Sequence, residues 1–87
     1  MGAITVIRAV GRNGPPEVGV VAGRGVGGAV RRNRAKRRIR EALGLVPLQP
    51  NTTYVVIAGA EVPDVAFDRL TEWLGRATSQ PAGEEEQ

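Results

Sequence analysis

The chain contains no cysteine and no histidine. The first absence removes thiol chemistry and disulfides, the second imidazole general-base chemistry, and together they remove the usual zinc sites. Aromatic residues are nearly missing too: Tyr54, Phe67 and Trp73 are the whole set, too few for the stacking platform of an RNA-recognition sheet. No apolar run approaches the roughly 18 to 20 residues of a membrane span, and the first twenty residues lack the charged start and long apolar centre of a signal peptide. The expectation is a soluble, cytoplasmic protein with no membrane partner. With 87 residues there is room for one small core and none for a second catalytic module.

What the chain has is positive charge in one place. Residues 1–40 hold ten basic residues and one acid, and residues 41–87 hold two basic residues and eight acids. Seven of the ten residues from Arg31 to Arg40 are Arg or Lys. At helical spacing Ala35, Ile39, Ala42 and Leu43 share one narrow stripe, while Asn33, Lys36, Arg37 and Arg40 follow i, i+3, i+4, i+7 on the opposite side. This predicts a helix docked by small residues, with Arg31, Arg32, Arg34 and Arg38 on its flanks. The stripe is Ala-rich and has no Trp or Phe to enter a headgroup layer, which argues against a membrane surface. Glu41 is the only acid in reach at i+3 or i+4, so repulsion makes the face costly unless anions bind it. The partner these charges fit is a line of phosphates.

Ile4 to Val10 and Glu17 to Ala22 read as strands, and the breaker-rich Gly11 to Pro16 between them reads as a hairpin-type turn. Gly23 to Gly28 connects to the basic helix, which should stop near Gly44, with Pro47 and Pro50 beyond. The apolar run within Asn51 to Gly59 reads as a buried central strand, parallel to the strand before the helix. Pro63 and Asp64 should open a second helix with Asp64 as N-cap and Asp68 in its first turn. Phe67, Leu70, Leu74 and Ala77 would be its buried stripe, with Trp73 beside it as core rather than a base-stacking group. Residues 1–78 form the single domain, and Ser79 to Gln87, with three successive Glu, has nothing to bury and is expected to be disordered. The fold class is α/β: a small two-layer domain with a sheet of three to four strands, a basic crossover helix and a C-terminal helix. One sheet face should be poorly covered, which leaves it open to self-association as a homodimer.

Gly23-Arg24-Gly25-Val26-Gly27-Gly28 imitates a dinucleotide fingerprint, but the acid required about 20 residues further on is missing. The glycines read more simply as a tight strand-to-helix turn. Glu61, Asp64 and Asp68 lie near one another, but capping accounts for Asp64 and Asp68, so neither a catalytic residue nor a protein metal site is assigned.

The stretch VGVVAGRGVGGAVRRNRAKRRIREAL resembles the signature of the bacterial ribonuclease P protein component. Val26, Gly27, Ala29, Val30, Arg32, Asn33, Arg34, Lys36, Arg37, Arg40 and Glu41 match it in register, and the order of elements from Ile4 to Ala77 is similar. The resemblance implies a left-handed crossover and a subunit bound to ribonuclease P RNA, which itself removes the 5′ leader of precursor tRNA with Mg²⁺ held through the RNA. Arg32, Asn33, Arg34, Lys36, Arg37 and Arg40 would contact that RNA, and Arg24 keeps one of two usual basic positions, Gly25 replacing the other. With the flanking Arg31 and Arg38, these form the expected RNA-binding set. The family's usual N-terminal helical segment, which carries an aromatic of the leader cleft, has no counterpart before Ile4, so a trimmed or minimal form is expected. The alternative is a non-catalytic RNA-binding or RNA-chaperone protein derived from that family.

Overall fold

The computed structural model describes residues 4–79. Three strands and two helices follow in the order β1 (Ile4–Val10), β2 (Glu17–Ala22), α1 (Ala29–Leu43), β3 (Thr52–Ala58) and α2 (Phe67–Ser79), with one 3₁₀ turn at Arg24–Val26 before α1. The sheet order is β1-β3-β2. β3 is therefore central, antiparallel to β1 and parallel to β2. The parallel pair across α1 is as the sequence predicts.

The expected hairpin is not there. β1 and β2 do not pair, because β3 lies between them, and the Gly11 to Pro16 segment instead crosses the end of the sheet. It folds around Asn51: Gly14 N donates to Asn51 Oδ1 at 2.7 Å, Asn51 N to Gly14 O at 2.9 Å and Gly11 N to Asn51 O at 3.0 Å. Asn51 has φ +60° and Gly14 φ +127°, conformations that Asn and Gly tolerate best. Breaker density signals that the chain turns; it does not say which strand it turns toward.

Alternation decides the layers. Tyr54, Val56 and Ala58 of β3 are buried against the helices with Ile4, and α1 lies chiefly against β2, α2 against β1. Ala35, Ile39, Ala42 and Leu43 are the buried residues of α1, the stripe read from the sequence, and they join Leu70, Leu74, Val62 and Val26 in one core. Two alanines in the stripe let α1 approach the sheet closely. The other sheet face carries Ile7, Val21, Val55 and Ile57, of which Ile7 and Val21 are about half exposed (52% and 49%). Both helices pack on the opposite face, so this face is open among the described residues.

α1 stops at Gly44 as expected, though Gly44 keeps a right-handed φ of −64°. Tight bonds from Leu45 N to Ala42 O and Val46 N to Leu43 O close the end. α2 differs more. It begins at Phe67 rather than near Pro63, and residues 60–65 form turns. Asp64 is not its N-cap, since the first helical bond runs from Leu70 N to Ala66 O. Phe67 is 36% exposed, while Val62 and Pro63 are fully buried at that end of the core. Asp68 does sit in the first turn, and Ala77 and Trp73 pack partly buried against the core. α2 includes Ser79, so only residues 80–87 of the expected tail lie outside the described residues.

Candidate nucleic-acid interface

α1 is polar on every side but one, and its polar residues divide by what they touch. Arg31, Arg34 and Arg38, spaced i, i+3, i+7, share one flank. That flank meets the 60–65 turns. Arg38 donates through Nη1 to Val62 O at 2.9 Å and Pro63 O at 2.8 Å, and through Nη2 to Val65 O. Arg34 Nε donates to Pro63 O at 2.9 Å. Arg31 donates through Nε to Val26 O at 3.0 Å, and its Nη2 lies 2.8 Å from Asp64 Oδ2 and 3.4 Å from Ala60 O. These bonds explain why α2 starts late: the carbonyls of Val62, Pro63 and Val65 turn toward the guanidinium groups of α1 instead of along a helix axis.

The opposite flank and outer surface carry Asn33, Lys36, Arg37 and Arg40. At 100° per residue Lys36, Arg40 and Asn33 fall away from the arginine clamp, with Arg37 between the two sets. Asn33, Arg37 and Arg40 are exposed and Lys36 half-buried. Among the described residues none of these four side chains is held by a hydrogen bond or ion pair, and the row runs about 10 Å along the helix. Arg32 is half-buried, with Nη1 on Gly27 O at 3.0 Å. Arg24 is exposed on the 3₁₀ turn. The repulsion expected across the whole basic face is thus reduced on one flank, where carbonyls and Asp64 receive three of the arginines. It remains on the other.

Gly27 is where the entry to α1 needs glycine. Its φ is +132°, and a Cβ there would lie 2.8 Å from Arg31 Cδ. Gly28 caps α1 without a side-chain bond. The look-alike fingerprint is therefore a turn that delivers the helix and seats Arg31.

Asp64 is the acid that the clamp uses. The Arg31 hydrogen bond, aided by the charges of Arg31, Arg34 and Arg38, holds its carboxyl below the ordinary value against a desolvation penalty. Arg31 is raised in return, first by that hydrogen bond. Both side chains are well exposed (44% and 68%), so the pair is screened by solvent. A carboxyl whose folded pKa is depressed stabilises above its unfolded value, near 3.9, and loses that contribution as pH falls through the folded value. Urea midpoints of the wild type and Asp64→Asn should therefore differ at neutral pH and converge as pH falls through the depressed folded value; a constant gap would exclude this pair as the source. Asp68 has a different partner, accepting from Arg69 N at 2.8 Å. No group of three or more metal-ligating acids is brought together among the described residues, and no helix there is long and apolar enough to cross a membrane.

The domain has two layers, a three-strand mixed sheet and a basic helix whose arginines are held by protein acceptors on one flank. The family model for Ribonuclease P matches residues 2–81, and the chain belongs to that family. It is 47% identical over 60 residues to the ribonuclease P protein component of Symbiobacterium thermophilum, covering 67% of this chain and 52% of the relative. The Brucella suis protein of the same description is 38% identical over 64 residues, covering 70% and 45%. The chain thus spans about half the length of these relatives. The solved structure of the ribonuclease P protein from Thermotoga maritima superposes with a TM-score of 0.78 at 26% identity, covering 95% of this chain and 81% of that one. The Staphylococcus aureus protein, at 21% identity and a TM-score of 0.68, covering 88% and 72%, shares the fold.

Proposed function

We propose that the chain acts as the protein subunit of ribonuclease P, binding the catalytic RNA through the free side of α1 and assisting 5′-leader removal from precursor tRNA. Asn33, Lys36, Arg37 and Arg40, with Arg24 and Arg32 at the helix entry, carry the RNA contacts. Arg31, Arg34 and Arg38 chiefly hold the 60–65 turns. The observation that carries the reading is that α1 keeps a row of four polar side chains with no partner among the described residues, while the arginines beside them are satisfied. Phosphate oxygens supply what the row lacks, and the counterions they release drive association. Family membership supports ribonuclease P RNA as that polyanion.

In this reading the RNA, with its Mg²⁺, performs the hydrolysis. The protein's cations lower the repulsion between RNA segments and so reduce the Mg²⁺ needed to hold the active fold. Adding the protein to ribonuclease P RNA at limiting Mg²⁺ should raise the rate of precursor-tRNA cleavage. Tight RNA binding with an unchanged rate would favour a non-catalytic RNA-binding or chaperone role for the same surface.

A further inference from the structure

The ridge on α1 leaves a second concavity unused. An open groove of about 580 Å³ lies between the 60–65 turns and α2, lined by Ala60, Glu61, Asp64, Val65, Arg69 and Trp73. Its size is in the range of small-ligand sites. Trp73 packs partly against the core and lends its remaining surface to the groove. Asp64 is already committed to Arg31 at 2.8 Å. Glu61 and Arg69 are exposed, and among the described residues neither side chain has a hydrogen-bond or ion-pair partner. The groove thus offers an indole surface, one free carboxylate and one free guanidinium. Its turn wall is pinned by the clamp from α1, which makes that wall preorganised.

We infer that this groove takes a single unpaired nucleotide, guanine before the other bases, with the base on Trp73, its N–H edge on Glu61 and its phosphate on Arg69. Unpaired bases are held by stacking on aromatic side chains and by hydrogen bonds to their Watson–Crick edges. Stacking alone tolerates any base; the carboxylate supplies the preference. Guanine presents two neighbouring N–H donors that match two carboxylate oxygens, whereas uracil presents one N–H between two carbonyls that would face the negative charge. A cationic side chain from a protein partner fits less well. It would meet Arg69, and one of the two acids is already neutralised by Arg31. The inference rests on the RNA-binding reading above but uses none of the ridge residues.

Trp73 is the only tryptophan in the chain, so its fluorescence reports the groove directly. Titration of the intact protein with GMP should give saturable quenching, with UMP and CMP weaker by about tenfold or more. Glu61→Gln should weaken GMP by about tenfold while leaving the thermal midpoint in place. Arg69→Ala should weaken GMP but not guanosine, and Arg37→Ala should change neither. The assignment is overturned by no saturable quenching up to about 10 mM, or by equal quenching from all four nucleotides that ignores Glu61→Gln. Quenching by an oligo-arginine peptide and not by GMP would give the groove to a protein partner instead. Failure here with a ridge-dependent salt response intact removes the groove alone; loss of that salt response removes the RNA reading.

Discussion

Arg38→Ala is expected to lower the stability of the fold by about 2–3 kcal/mol, more than removal of any single exposed charge on α1. Arg38 donates to the carbonyls of Val62, Pro63 and Val65, and it is half-buried. Truncation leaves the carbonyls of Val62 and Val65 to water alone, while Pro63 O keeps only its bond from Arg34 Nε, beside the fully buried Val62 and Pro63. For a domain of this size the thermal midpoint should fall by roughly 10–20 °C. Arg38→Lys should recover only part of the loss, because an ammonium is a point donor and cannot reproduce the fork. Calorimetry on the three proteins checks this, and a midpoint for Arg38→Ala within a few degrees of wild type would mean that the clamp does not hold the 60–65 turns.

The second large effect concerns binding and leaves stability alone. Replacing Lys36, Arg37 and Arg40 together by Ala removes three cations with no intramolecular partner among the described residues. If each neutralises one phosphate, the slope of log K against log salt should shrink by about two to three units, and affinity for ribonuclease P RNA near 0.15 M salt should fall about a hundredfold. The thermal midpoint should hold or rise, since like charges are relieved. A slope equal to wild type would place the RNA elsewhere.

The sequence makes some of this arrangement legible and hides the rest for a definable reason. Local rules suffice for α1: Ala35, Ile39, Ala42 and Leu43 recur at helical spacing, and Gly44 stands at the end. They suffice also for the three strands, and for β3 as the central one, because its apolar run is nearly continuous. The 60–65 turns follow no local rule. Pro63-Asp64 looks like a helix start, and only the presence of Arg34 and Arg38 across space diverts the carbonyls and sends Asp64 to Arg31. The same gap affects the basic face. The spacing of Arg31, Arg34 and Arg38 is visible in the chain, yet whether that flank meets protein or solvent depends on where a segment more than twenty residues later comes to rest. The expectation that all the α1 cations contact RNA rests on the chain alone, and the hydrogen bonds add a structural role for Arg31, Arg34 and Arg38. Trp73, read as core, is in part core and in part groove wall, a division that helical periodicity does not resolve.

Salt titration of two single variants separates a structural flank of α1 from an RNA flank. Binding of ribonuclease P RNA should be measured against salt for wild type, Arg37→Ala and Arg38→Ala, at a temperature where circular dichroism shows all three folded. Arg37→Ala should lower the slope by about one phosphate contact, close to 0.7–0.9 units, and Arg38→Ala should leave it unchanged. A slope reduced by Arg38→Ala and untouched by Arg37→Ala would reverse the two flanks.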